Sequence, residues 1–142
     1  MIIGIAGDHA AYNEKCLLIT YLKSNNYNLV DFGCDSTDSV DYPDYAHKLS
    51  LGLIQGEINL GILLCGSGIG ISIAANKNKG IRAALCCSEF HAEMSRKHND
   101  ANIIAFGSRV TDTNKMQNMI EIFIKTEFEG GRHLMRVNKI EQ

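Results

Sequence analysis

The chain has 142 residues, 45% of them hydrophobic and 21% charged, which suits one globular domain with a buried core. Its net charge is −2 and it carries no basic tail, so nucleic acid is not an expected partner. No apolar run approaches the ~20 residues that cross a bilayer, and the start, "MIIGIAGDHA", lacks the charged head and cleavage site of a signal peptide. A cytoplasmic protein with no membrane partner is expected.

Five cysteines, Cys16, Cys34, Cys65, Cys86 and Cys87, include no C-x-x-C pair. That spacing argues against a disulfide framework or a zinc knuckle, and the default reading of each is a small buried hydrophobe. With one proline, Pro43, and no low-complexity tract or charge block, residues 1–142 read as a single domain.

Strand-like and helix-like stretches alternate along the chain. "IIGIA" (2–6) reads as a strand ending at Gly7-Asp8-His9, and Tyr12, Cys16, Ile19 and Leu22 follow at helical spacing. "YNLVDF" (27–32) is a second strand. After the turn-rich "CDSTDSVDYPD", Ala46, Leu49, Leu53 and Ile54 suggest a helix. "LGILLC" (60–65) is a third strand, and "ISIAANK" leads from a glycine loop into a helix. "IRAALCC" (81–87) is a fourth strand, and Ser88 can cap the helix "EFHAEMSRKHN". "NIIAFG" (102–107) is a fifth. Thr111 or Thr113 can cap a helix with Met116, Met119, Ile120, Phe123 and Ile124 on one face. The tail turns at Gly130-Gly131 into a last short helix. This order predicts an α/β fold, with a parallel sheet of apolar strands covered on both faces. Ligands in such folds bind beyond the carboxyl ends of the strands, where Asp8, His9, Cys65, Gly66–Gly70 and, a few residues on, Arg109 are expected to converge.

The stretch "ILLCGSGIGISIAANK" carries the chemistry. Gly66, Gly68 and Gly70 leave amide N–H groups uncovered at a helix start, which makes the loop an anion site. It lacks the G-x-G-x-x-G spacing of a dinucleotide loop and the Gly-Lys-Ser/Thr ending of a Walker loop. Ile71 stands where a cysteine phosphatase loop would put arginine. Cys65, at a strand end before a helix, is placed to act as a thiolate base. The loop amides would then hold a developing enediolate oxygen. A buried packing cysteine fits the same position, and position alone leaves both readings open.

Other polar groups are weaker signals. Asp8 can be a helix cap with His9 a surface neighbour. His91 and His98 share a helix face seven residues apart, too few ligands for a metal site. His98, followed by Asn99 and Asp100 before a buried strand, is the more interesting of the two, whereas His47 and His133 read as surface residues. Arg132 and Arg136 are four apart on a helix, where an anion such as phosphate would relieve their repulsion. Arg109 is a third candidate for that anion, and Arg82 marks an interface or a strand end.

Together, "GDHA", "DYPDYA", "CGSGIGISIAANK", "IRAALC", "RKHNDANIIAFGSR" and "EGGRHLMRV" resemble the B-type ribose-5-phosphate isomerases, in one register over nearly the whole chain. The related galactose-6-phosphate isomerase subunits share that fold. One subunit type lacks a cysteine like Cys65 and the other lacks the Gly-Gly-Arg-His tail, whereas this chain has both.

The resemblance implies a Rossmann-like three-layer sandwich with a five-stranded sheet, working as a homodimer or tetramer with active sites across an interface. It implies a phosphorylated sugar as substrate and neither metal nor organic cofactor. It makes Cys65 the base that moves a proton between C1 and C2, and His98 the acid that opens the furanose ring. Gly66, Ser67, Gly68, Ile69 and Gly70 would hold the enediolate, and Tyr42 would line the sugar pocket. Asp8, His9, Asn99, Arg109, Arg132 and Arg136 would hold the sugar or its phosphate, with His98, Asn99 and Arg109 coming from the partner subunit. Ser67 stands where threonine is common, and either hydroxyl can donate a hydrogen bond. Two other readings remain: isomerisation of a six-carbon sugar phosphate, such as allose or galactose 6-phosphate, and a non-enzymatic nucleotide-binding or thiol-sensing α/β module.

Overall fold

The computed structural model of the chain describes residues 1–141. Five strands form one all-parallel sheet: β1 (Ile2–Gly7), β2 (Asn28–Asp31), β3 (Leu60–Cys65), β4 (Ala83–Leu85) and β5 (Ile103–Gly107). Their spatial order is β2-β1-β3-β5-β4. The helices are α1 (Tyr12–Ser24), α2 (Tyr42–Ile54), α3 (Ile69–Ala75), α4 (Glu89–Asn99), α5 (Thr113–Lys125) and α6 (Arg132–Ile140). The chain first winds outward from β1 to β2, then crosses back to β3 and winds the other way. The order reverses between β1 and β3, and this is where doubly wound folds place their ligands.

Alternation along the buried strands sends side chains to two separate cores. Ile3, Ile5, Ile62, Leu64, Ile104 and Phe106 pack with residues of α1, α4 and α5. Ala6, Leu63, Cys65, Ile103 and Ala105 pack with residues of α2 and α3. Helices thus cover both faces, giving the expected three-layer α/β sandwich. The layer over α2 is thin: a side chain at Gly61 would meet Leu49 at 2.6 Å.

Several local expectations shift. The buried face of α1 is Lys15, Leu18 and Leu22, so Tyr12 and Cys16 lie beside it, not at its centre. Lys15 is 1% exposed, and its Nζ lies 2.7 Å from both Asp31 oxygens. A lysine reads as polar in any periodicity count, and its partner lies 16 residues away on β2. The two edge strands are not apolar throughout. β2 is largely exposed and β4 is three half-buried residues, because each has only one neighbouring strand. Ile54 is exposed. Ser88 does cap α4, accepting from the His91 amide. Asp112, not either threonine, caps α5 by accepting from the Lys115 amide.

Candidate active site

β3 and β1 end side by side, in the register Gly7 to Leu64. Cys65 is the last residue of β3, 4% exposed, with its side chain on the α2 and α3 face. The amide of Gly68 donates to its Sγ at 3.1 Å, and an N–H aimed at sulfur supports negative charge there. Gly68 has φ +77°, the left-handed region that favours glycine. A Cβ at Gly68 would meet Leu85 at 2.6 Å and the backbone of Phe106 and Gly107 at 2.7 and 2.8 Å. The loop is further pinned to the strand beside it: Ser108 donates to the Cys65 carbonyl and Arg109 to that of Gly66. Ser67 Oγ accepts from the Ile69 amide. Among the described residues the amides of Gly66, Ser67 and Gly70 have no acceptor, so they are available to an oxyanion. Tyr42, the first residue of α2, lies against Gly70, where a Cβ would come within 2.5 Å of its ring.

Asp8 caps the short 3-10 turn His9–Ala11, accepting from the Ala10 amide at 3.0 Å. It is also 6% exposed, and its second oxygen has no partner among the described residues. The Val40 amide donates to Nδ1 of His9 at 3.1 Å, so Nε2 carries the ring hydrogen and is the donor left for a ligand. Arg109 lies on the loop of its own chain, with Nη1 3.1 Å from where a Gly66 Cβ would sit. The expectation that a partner subunit supplies Arg109 is therefore corrected. Arg109, two residues past the end of β5 at Gly107, reaches the loop because β3 and β5 are direct neighbours.

The remaining predicted residues lie at the other edge of the sheet. His98 and Asn99 close α4, and the Asn99 carbonyl accepts from Arg82, the residue before β4. Asn102, just before β5, donates to the Arg82 carbonyl. The end of α4 therefore sits where β4 and β5 begin. α6 runs along the same edge. Glu129 donates its amide to the Lys97 carbonyl, and Glu141 pairs with Arg82 at 2.5 Å. Cys65 and His98 are thus separated by the length of the sheet, roughly 16–20 Å for the six residues of β3 at ~3.3 Å each. Asp8, His9, Tyr42, Cys65, Gly66–Gly70 and Arg109 come together in one chain; His98, Asn99, Arg132 and Arg136 form a second group.

His133 belongs with that second group. It is 7% exposed, not a surface residue, and its ring stacks on His98 with centroids 4.2 Å apart and planes 6° apart. Burial, then the positive neighbours His98, Arg132 and Arg136, push its imidazole below the usual histidine range. Glu129 stands 3.7 Å from its Nε2. His98, Glu129 and His133 offer three donor atoms within 4.8 Å of one another. The rings are parallel, however, so their in-plane lone pairs run side by side and do not meet at one point. Arg82 and Arg96 are paired with carboxylates, whereas Arg109, Arg132 and Arg136 have no such partner among the described residues. A cavity of about 770 Å³ opens at this edge, lined by Lys77, Arg82, Asn99 and Glu141 among others. It does not reach Cys65.

A profile of the Ribose/Galactose Isomerase family matches residues 3–140. The chain belongs to the Ribose/Galactose Isomerase family. It is similar to ribose-5-phosphate isomerase B of Escherichia coli, with 41% identity over 138 residues, 97% of this chain and 93% of that one. Its fold superimposes on a Clostridium thermocellum ribose-5-phosphate isomerase B with a TM-score of 0.98 and 48% identity, covering 99% and 95% of the two chains. A Thermotoga maritima ribose 5-phosphate isomerase gives 0.97 and 44%, covering 99% and 97%.

This Ribose/Galactose Isomerase chain has four further cysteines. Burial pushes the Cys86 thiol up to about 12 and that of Cys34 upward, which keeps both protonated and inert. Cys87 is exposed and Cys16 half-buried, so buried packing does not describe those two. The placement missed in the sequence is that of His133. Arg132 and Arg136 at a spacing of four mark the outer face of α6. His133 and Val137, the next pair at the same spacing, are its buried face.

Proposed function

We propose that the chain is a ribose-5-phosphate isomerase, interconverting D-ribose 5-phosphate and D-ribulose 5-phosphate through an enediolate. The observation that carries this reading is the Cys65 thiol at the carboxyl end of β3, held by the Gly68 amide beside three open amides. His98 gives a proton to the ring oxygen of the furanose while Asp8 takes one from the anomeric hydroxyl, which frees the aldehyde. Cys65 as thiolate takes the C2 proton, and the electron pair moves onto the C1 oxygen. The amides of Gly66, Ser67 and Gly70 hold that oxygen charge. The C2 hydroxyl passes its proton to the C1 oxygen as Cys65 returns its own to C1, and the C2 carbonyl of the ketose forms. The steps use side chains and amides of the protein and call for no metal or cofactor. His9 and the three unpaired arginines hold the phosphate, and that remote binding aligns the reacting carbons.

The chain acts as a homodimer. One copy supplies Asp8, His9, Tyr42, Cys65, Gly66–Gly70 and Arg109, and the other supplies His98, Asn99, Arg132 and Arg136. The distance between the two groups within one chain supports this division. So do the exposed apolar residues beside each group, Ile69 and Ile73 on α3 and Leu134 and Met135 on α6. No helix among the described residues is long and apolar enough to cross a membrane. A cytoplasmic location fits a substrate whose phosphate charge keeps it from crossing one.

Cys65→Ala assayed on ribose 5-phosphate tests the assignment. Turnover should fall at least ~10³-fold with substrate binding kept. Substantial residual turnover removes Cys65 as the base. Comparing kcat/KM on a six-carbon sugar phosphate establishes which substrate the pocket prefers.

A further inference from the structure

We infer that His133 is a positioning residue for His98, holding the ring of the acid in the plane from which it meets the sugar. The inference rests on the reading of His98 as the ring-opening acid. An acid must point one nitrogen at the substrate, and most catalytic histidines are oriented by a hydrogen bond to the other nitrogen. His98 has no hydrogen bond to either ring nitrogen among the described residues. Its ring torsion is of the broad, two-fold kind. What meets it is the flat face of His133, at 4.2 Å and 6°. At that distance the rings are in van der Waals contact, so His98 cannot turn its edge toward its neighbour.

His133 is itself fixed. It lies on the buried face of α6 with Val137, and its backbone amide donates to the Gly130 carbonyl. Charge favours the same arrangement. The groups facing His133 are His98 from α4, Arg132 and Arg136 from its own helix, and Glu129 from the segment before it. Burial and those three positive groups outweigh Glu129 and favour a neutral His133. A neutral His133 adds no charge repulsion to its stack with His98.

The test uses the full-length enzyme with His133→Leu, His133→Phe and His98→Gln, assayed in both directions. Ribulose 5-phosphate cannot close to a furanose because its C5 oxygen is esterified, so its conversion to the open-chain aldose needs no ring opening. His133→Leu should lower kcat on ribose 5-phosphate about ten- to hundredfold, with KM within about twofold, and should slow ribulose 5-phosphate consumption far less. His133→Phe keeps a flat ring and should recover most of the lost kcat. Equal losses in the Leu and Phe variants overturn the proposal. So does a loss expressed mainly as raised KM, which would mean that α6 had shifted and carried Arg132 and Arg136 with it. An unaffected His133→Leu beside a direction-dependent loss in His98→Gln rejects His133 alone. A His98→Gln enzyme with no direction-dependent loss rejects the acid assignment and the proposal with it.

Discussion

At the carboxyl edge of the sheet the working groups are held by backbone; at the opposite edge they are held by other side chains. Cys65 ends a strand, its loop is hydrogen-bonded to the turn after β5, and Gly68 fits a space that admits no Cβ. His98 sits in the last turn of α4 and leans on a second imidazole from α6. The first half is rigid because its shape is part of the sheet topology. The second depends on two helices keeping their mutual distance. In the proposed reaction, the edge that would hold a developing charge is the one with preorganised amides. The edge that would make a single proton transfer has the softer support.

If the halves belong to different copies, two dead enzymes should rescue each other, and this is the largest effect expected. Cys65→Ala damages one half and His98→Gln the other. In a mixed dimer, one site takes both lesions and its twin takes neither. Random reassortment of equal amounts gives half mixed dimers, each with one of two sites intact, so activity should return to about a quarter of wild type. The measurement is turnover before and after dissociation and reassembly of the mixture. No recovery, with mixed dimers verified by mass, removes the division of the site between copies.

The backbone character of the first half predicts that glycine matters more there than a hydroxyl. Gly68→Ala must hold φ +77° and push Leu85 and the Phe106–Gly107 backbone apart. The expected cost is about 2–4 kcal/mol in urea denaturation, with at least a tenfold lower kcat. Ser67→Ala removes only a 3.3 Å contact to the Ile69 amide and should cost less on both counts. The reverse order would mean that the loop works through its side chains.

These contrasts also explain what could be read beforehand. The five strands and the glycine loop are legible because apolar runs and glycines are local signals, and β3 has the bounds its apolar run predicts, 60–65. Asp8 is legible as a cap because capping spans two residues. The burial of Lys15 and His133 is not legible because each is defined by a partner far along the chain, Asp31 for Lys15 and His98 for His133. Arg109 is legible at the carboxyl edge from strand order alone, and there it lies against Gly66. Asp112 outcompetes two threonines as a cap, a choice among neighbours that composition cannot make. The family pattern brought His98 and Arg132 into one site, but the topology puts Arg109 in the opposite group.

The arginines sharpen the comparison further. Arg109→Ala weakens phosphate binding from the rigid half, and Arg132→Ala or Arg136→Ala from the α6 half. Each loses a charge-assisted contact, and KM should rise about tenfold with kcat nearly kept. Because His133 shares a helix with Arg132 and Arg136, these two variants should also ease protonation of His133 and shift the acid limb of the pH profile upward. Arg109→Ala should not. An equal shift in all three would mean that the limb does not report His133, which only Arg132 and Arg136 flank on its own helix.

The smallest effect is on stability, and it separates the two edges without an activity assay. The folded His133 binds its proton less readily than an unfolded histidine, because of burial and its positive neighbours. Between the lowered folded value and the ordinary ~6.5, the unfolded chain therefore holds more protons, and stability rises with pH across that window. The penalty is absent above about pH 7 and grows as pH falls below about 6.5. In His133→Phe the group that must shed its proton is gone. Its Tm should fall less than that of wild type between about pH 7 and pH 5, with the two curves parallel above neutrality. Glu129, 3.7 Å from the ring, opposes the effect, so Glu129→Gln should steepen the loss in wild type and change nothing in His133→Phe. A Tm difference that does not vary with pH would mean that the stack contributes packing alone.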